Sequence, residues 1–341
     1  MARPTIAAGY ARALLEMAVS KGADRRELLR RSRVAPEDLL NQDNRIPLGS
    51  YVDLMDASVE LCHEPAFALL FGEDVTNPSI SIVGLLATSA ETISQGLDQI
   101  NRYARLMIDE DGTAPPELIE IVRNGEGLWM VLRSTVYVMY PRITESAFAR
   151  MVCGFRRQFG DRLFVKAVHV THAEPEYRSE YDRILKVPVV FGSEKNALLI
   201  DETFLSLKMP SPNRYVFGIL SEHAEALLRT LERSKTMRGR VESLMIPMLH
   251  TGHLRMETIA SRLGLSRQTL YRRLKAEGVS YERVLDEMRH KMALHYLNGD
   301  KASVKEVAFL VGFSDPSAFS RAFKRWTGER PGRATSPEIE S

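Results

Sequence analysis

The chain has 341 residues, room for two domains more readily than one. Hydrophobic residues make up 44% and charged residues 26%, ordinary globular values, and no apolar run reaches the roughly 18 residues of a membrane span. The net charge is +2, and two cysteines, Cys62 and Cys153, exclude a disulfide framework. Polar residues interrupt the first apolar run before any cleavage-like site, so no signal peptide is expected. The expectation is a soluble cytoplasmic protein with no membrane contact.

In chain order, helical periodicity runs through Ala7–Val19, Pro47–Leu61, Glu91–Met107 and Thr144–Phe159. Segments rich in Val, Tyr, Phe and Trp over Glu117–Arg123, Leu128–Val138, Leu163–His172 and Val187–Phe191 predict strands. Helices and strands mixed along one stretch predict a mixed α/β (α+β) domain with a small sheet over residues 1–205.

Chemistry is sparse in that domain. The motifs G-x-S-x-G, G-x-x-x-x-G-K and C-x-x-C are absent from the chain, so no catalytic residue and no cofactor is expected. His169-x-x-His172 falls in a predicted strand, where residues three apart point to opposite faces, a poor metal pair. His250-x-x-His253 has no Cys or carboxylate close enough in sequence to complete a site, so no metal is expected. Asp109-Glu110-Asp111 reads as a solvated acidic loop. Trp129, Tyr137 and Tyr140 read as core residues on a strand, and Cys62 and Cys153 as small buried residues of apolar helices.

The run Met209-Pro-Ser-Pro-Asn213 is the linker candidate, followed by a helix at about 218–233, which makes 206–236 a linker with a helix. Beyond it the charge changes. From Met237 to Thr335 there are 18 Lys and Arg against 10 Asp and Glu, a balance of +8, while the rest of the chain has 28 against 34, or −6. A basic end on a slightly acidic body points to an anionic partner held by that end.

That basic segment repeats itself. Ile259–Ser266 (IASRLGLS) matches Val307–Ser314 (VAFLVGFS) at an offset of 48, pairing Ala260 with Ala308 and Gly264 with Gly312. From there the offset is 49, pairing Leu270 with Phe319, Arg272 with Arg321 and Lys275 with Lys324, as if one residue were inserted at the start of the last helix. Each copy reads as helix, tight turn, helix. Glycine tolerates the positive φ that ends the first helix, and Ser266 suits the cap of the next. Ser303-x-x-Glu306 has the spacing of a capping box, and Val307, Val311, Phe313, Phe319 and Phe323 supply a core. Such a unit is a helix-turn-helix, placed at about 256–277 and 304–326 within an all-α domain, 237–335.

The exposed faces carry the binding chemistry. Arg267, Gln268, Tyr271 and Arg272 lie opposite Leu270 and Leu274 in the first copy, and Ser317, Ser320, Arg321 and Lys324 hold that face in the second. Arg reads guanine, Gln can read adenine and Ser can donate to a base or a phosphate, while Arg273, Lys275, Lys324 and Arg325 suit phosphates. Between the copies, Ser280–Asn298 reads as one helix of roughly 28 Å. That length approaches the pitch of a DNA duplex, about 34 Å, so the helix spaces two heads for successive major grooves.

These residues resemble the DNA-binding domain of AraC/XylS-type transcription regulators. The resemblance is carried by Val311–Pro331 (VGFSDPSAFSRAFKRWTGERP), similar to that family's C-terminal signature, and by Arg262–Gly278 (RLGLSRQTLYRRLKAEG). It implies seven helices holding two helix-turn-helix motifs, with recognition helices near 266–277 and 315–326. Ala334-Thr335 departs from the aromatic residue and Arg usual there. Arg45–Glu73, Val83–Met107 and the stretch from Asn196 resemble the arabinose-binding-type sensor domain of one AraC subgroup. That likeness implies a small-molecule effector, which need not be a sugar, and a homodimer.

The function expected is a sequence-specific regulator that binds double-stranded promoter DNA, is controlled by an effector, and acts as an activator that touches RNA polymerase. Three alternatives stand beside it. One is a DNA-binding protein with a catalytic, alkyltransferase-like N-terminal domain, which needs an activated thiolate at Cys62 or Cys153. The others are an effector-independent repressor and a structural DNA organiser.

Overall fold

The computed structural model describes residues 4–110, 117–125, 127–160, 164–252, 254–297 and 302–331. Asp111, Leu163, His253, Asn298 and Ala334-Thr335 lie outside them. The chain divides into two compact units, Met1–Leu228 and Arg229–Ser341.

The first unit opens with β1 (Thr5–Ala7), α1 (Ala8–Ser20) and α2 (Arg25–Ser32), then β2 (Arg45–Pro47) and α3 (Leu48–Leu61). Next come α4 (Phe67–Asp74), α5 (Asn77–Ile80), α6 (Ile82–Ser89), α7 (Ile93–Arg102), α8 (Ala104–Met107) and β3 (Ile108–Asp109). β1 is the middle strand of a small antiparallel sheet between β2 and β3. Side-chain caps start three of these helices, α2, α6 and α7. Asp24 accepts from the Glu27 N–H, Ser81 from Gly84, and Thr92 from Gln95.

A hairpin of β4 (Ile119–Asn124) and β5 (Gly127–Leu132) follows, then α9 (Thr135–Met139) and the long α10 (Pro141–Phe159). The unit continues through β6 (Val165–His169), α11 (Arg178–Leu185), β7 (Val189–Val190) and β8 (Ala197–Ile200). The larger sheet runs β4-β5-β8-β6-β7, antiparallel except where β6 meets β7. α12 (Arg214–Lys235) carries the division between the units. The mixed α/β character expected of this part of the chain is therefore present.

Several local expectations differ. The strand read over Leu128–Val138 stops at Leu132, because Ser134 caps a helix by accepting from Val136 N–H. Tyr137 and Tyr140 are thus off the strand, although Trp129 and Tyr137 are buried as core residues. The helix read over Glu91–Met107 breaks at Tyr103, whose ring is buried. β8 is a four-residue apolar run that periodicity cannot assign, yet it is the middle strand of five.

The acidic run Asp109-Glu110 is buried and not solvated, with Asp109 4% and Glu110 7% exposed. β3 carries it into the small sheet. There Asp109 pairs with Arg105 at 3.3 Å, and Glu110 accepts from the hydroxyls of Ser134 and, at 2.5 Å, Thr135. Buried carboxylates persist only with such partners.

The histidines His169 and His172 work separately. His169 meets Ser193 Oγ at 3.1 Å and stands edge-on to Trp129, whereas His172 meets Tyr181 Oη at 3.2 Å. Among the described residues no group of three His, Cys, Asp or Glu is placed to hold a metal ion. Among them also, no helix is long and apolar enough to cross a membrane.

The second unit has helices and no strand among its described residues. It contains α13 (Met237–Met245), a 3-10 segment (Ile246–Thr251), α14 (Met256–Arg262), α15 (Arg267–Ala276), α16 (Tyr281–Leu297), α17 (Val304–Leu310) and α18 (Pro316–Thr327). One core joins them. Val241, Met245, Ile259, Leu270, Leu274, Val284, Val307, Val311, Phe319 and Phe323 are all essentially sealed from solvent. This is the all-α, two-motif domain expected, with one of its seven helical segments in 3-10 form.

Candidate nucleic-acid interface

The two helix-turn-helix units share their backbone hydrogen bonds as well as their sequence. In the first, Gly264 N–H donates to Ser261 O at 3.0 Å and Leu265 N–H to Ala260 O at 2.9 Å. In the second, Gly312 N–H donates to Phe309 O and Phe313 N–H to Ala308 O, both at 2.9 Å. This is the six-to-one closure of a Schellman turn, and both glycines hold the positive φ it requires, +66° and +82°.

The register slip between the copies has a structural cause. Ser266 caps α15 by accepting from Thr269 N–H at 3.1 Å. Its sequence match, Ser314, does not cap α18. The cap is the next residue, Asp315, whose carboxylate accepts from Ser317 and Ala318 N–H at 3.1 and 2.9 Å. The inserted residue therefore lies in the turn, and the helices that follow align from cap to cap. Those two hydrogen bonds hold the Asp315 carboxyl below its ordinary pKa. Pro316 takes the first helical position, where it lacks only an N–H that would have no partner.

On α15, Gln268, Tyr271, Arg272, Arg273 and Lys275 are exposed, opposite the buried Leu270 and Leu274. Tyr271, half exposed at 51%, is a large ring left in solvent on this face. Arg267 is exposed too, but its Nε meets Glu257 of α14 at 2.9 Å. On α18, Ser317, Arg321 and Lys324 are exposed. Ser320 is half-buried and its hydroxyl donates to Pro316 O at 3.0 Å, so only its lone pairs face outward. Arg325 lies off that face and pairs with Asp286 of α16 at 2.6 Å. Among the described residues no carboxylate stands within ion-pair distance of Arg272, Lys275, Arg321 or Lys324. Those four cations are thus available to an outside anion.

The heads are braced by residues that the repeat does not reveal. Glu277, at the end of α15, accepts from the first two N–H groups of α13, Met237 at 2.6 Å and Arg238 at 2.9 Å. An anion at that helix start answers both the open donors and the dipole. Arg289 of α16 donates to Gly312 O at 3.2 Å while its guanidinium covers the Phe313 ring at 4.6 Å. Burial lowers the Arg289 pKa below its ordinary value. An Arg and a Glu on otherwise ordinary helices give no periodic signal that would single them out.

In the first unit neither cysteine is set up as a nucleophile. Cys62 is half-buried and Cys153 buried, and burial pushes both thiols above their ordinary pKa. Arg156 and Arg157, beside Cys153 in sequence, spend their guanidinium groups on the carbonyls of Ile184, Leu185, Glu73 and Val75.

Two family profiles match the chain. The arabinose-binding domain of AraC transcription regulators, N-terminal, covers residues 22–209, and a helix-turn-helix domain covers 259–336. The ornithine utilization regulator of Pseudomonas aeruginosa is 26% identical over 331 residues, with 94% of each chain covered. The HTH-type transcriptional regulator VirS of Mycobacterium tuberculosis is 25% identical, covering 91% of this chain and 90% of its own. VqsM, an HTH-type transcriptional regulator of Pseudomonas aeruginosa, is 30% identical, covering 73% and 77%.

Proposed function

Because the chain belongs to the AraC family of DNA-binding transcription regulators, we propose that it reads its operator with both helix-turn-helix units at once. The observation that carries this is the shared face of α15 and α18. Arg272 and Arg321 stand at equivalent positions, each six residues after its helix cap, both exposed and neither within ion-pair distance of a carboxylate among the described residues. Gln268, Tyr271, Ser317 and Ser320 share the base-reading role. Arg273, Lys275 and Lys324 hold phosphates, and Arg267 and Arg325 join them by exchanging surface ion pairs worth little in water.

The working division is 1–205 for the effector and self-association, 206–236 as linker and 237–335 for DNA. The protein acts in the cytoplasm as a homodimeric activator that touches RNA polymerase, and a small-molecule effector sets its activity. It is not an enzyme. The raised pKa of both thiols, Cys153 buried and Cys62 half-buried, speaks against alkyl transfer, which needs a thiolate.

The test is operator geometry. α16 spans 17 residues, about 26 Å, and sets a fixed distance between the heads. Inserting about half a helical turn, roughly 5 bp, between the sub-sites rotates one away from its head. Binding of the full chain should fall to that of a single head. A full-turn insertion should not restore it, because a helix cannot stretch. Tolerance of the half-turn insertion would show that the heads do not read together.

A further inference from the structure

The first unit contains a buried cation without a counter-ion. Arg150, on the buried face of α10, is 6% exposed, and its Nε donates to Asn77 Oδ1 at 2.8 Å. Among the described residues no carboxylate lies within ion-pair distance of it, and its two terminal amino groups have no acceptor. Neither terminal amino group is sealed from solvent, so both reach accessible space, where a largely desolvated charge is stabilised by any anion that pairs with it.

Its surroundings are donors. Tyr10 from α1, Tyr51 from α3 and Tyr137 from α9 are all buried, and the charge of Arg150 acts on each. The guanidinium carbon stands 5.6 Å from the Tyr10 ring centre, and the Ser81 hydroxyl acts on the Tyr10 phenol. The hydroxyls of Tyr51 and Tyr137 make no hydrogen bond among the described residues. Two terminal amino groups and two phenols, from three helices, thus lie within electrostatic reach of one another, and none of them is bonded to a protein acceptor among the described residues.

The backbone beneath is rigidly placed. A Cβ at Gly72 of α4 would stand 2.3 Å from Ser146 O and 3.0 Å from Arg150 N, so α4 clamps α10 at this turn. Asn77 stands in two places at once, bonded to Arg150 and forming part of the wall of a cleft of about 60 Å³. Ile93, Leu97, Ile100, Met151 and Phe155 line the rest of that wall.

We infer that Arg150, with Tyr51 and Tyr137, binds the carboxylate of a small organic acid whose apolar body lies in the cleft beside Asn77. A carboxylate accepts two parallel hydrogen bonds from one guanidinium, and its remaining lone pairs suit phenol donors. The inference deepens the effector reading of this domain and rests on it.

Thermal unfolding of the full chain tests it, with butyrate, hexanoate and benzoate each set against its own amide, and sodium chloride balancing ionic strength. At saturation a bound acid should raise the unfolding midpoint by about 5 °C, and the amides should not. Arg150→Gln should abolish the shift, while Arg150→Lys, which keeps the charge, should retain a weaker one. Without ligand, Arg150→Gln should unfold no lower than the parent, since it removes an unpaired buried charge. A lower midpoint would make Arg150 structural and overturn the inference. So would a shift shared by amides or chloride, one surviving in Arg150→Gln, or none with any of the three acids.

Operator binding in the same samples separates the two readings. Acid-dependent stabilisation with unchanged DNA affinity leaves the site standing and removes its regulatory role. DNA affinity that responds to a metabolite extract identically in the parent and Arg150→Gln leaves regulation standing and overturns the site.

Discussion

Gly312 and Leu249 touch through their backbones: a Cβ on Gly312 would stand 2.3 Å from the Leu249 carbonyl oxygen. Its counterpart in the first repeat, Gly264, has open space in the same direction. Both residues hold a positive φ, so both resist side chains, but only Gly312 also anchors the 3-10 segment to the second turn. Gly264→Ala should cost about 1–2 kcal/mol from the strained backbone alone. Gly312→Ala must in addition displace backbone and should cost clearly more. Denaturant unfolding of the two variants checks the order, and equal losses would deny the contact its role.

Arg272 and Arg321 occupy matching positions, so their removal should have matching consequences at different places. Each change to Ala should cost about 1–3 kcal/mol of operator binding and relax base preference at its own sub-site. Lys275→Ala should weaken binding to every sequence by a similar factor, because a phosphate contact carries no sequence information. Binding-site selection with the three variants distinguishes these patterns.

The +8 balance of residues 237–335 predicts a steep salt dependence. Each phosphate neutralised contributes about −0.9 to the slope of log affinity against log salt. Lys275→Ala and Lys324→Ala should each make the slope shallower by about one. A flat salt profile for the parent chain would remove phosphate contacts from the account.

Glu145 makes a pH prediction. It is 2% exposed, and Oε1 accepts from Tyr177 at 2.8 Å and Tyr181 at 2.7 Å, while Oε2 is buried with no partner among the described residues. Burial raises its carboxyl above the ordinary pKa, outweighing the two phenol hydrogen bonds. The folded chain therefore holds this proton more tightly than the unfolded chain. Its stabilisation is fully present below the unfolded pKa and is lost as pH rises through the folded one. Glu145→Gln keeps an acceptor for the tyrosines and never ionises. Its stability relative to the parent should improve as pH rises from acid to neutral, and a pH-independent difference would refute the assignment.

The regular parts of this protein were readable because they depend on neighbours in sequence. A helix-turn-helix needs an apolar stripe, a glycine and a cap within about twenty residues, and Gly264, Ser266, Ser303 and Glu306 announce it locally. Even the one-residue slip was visible, though only the structure showed that Asp315, and not Ser314, takes the cap. The exposed faces of α15 and α18 follow from the same periodicity, since whatever lies opposite Leu270 or Phe319 must face outward.

What the chain order could not decide are pairings made across it. Asp109 and Glu110 read as a wet loop until β3 buries them against Arg105, Ser134 and Thr135. Arg150 sits on a helix readable from its apolar pattern, and a charge within that pattern is a signal. Its meaning needs Tyr10, Tyr51, Asn77 and Tyr137, which arrive from four other helices up to 140 residues away. Sequence alone determined the two-part organisation, the duplicated DNA-reading unit and its exposed cations, because short-range periodicity and capping act within a few turns. Tertiary structure decided the sheet order, the buried acids and the environment of Arg150. The energy of a buried charge depends on which distant groups surround it, and no local pattern encodes that.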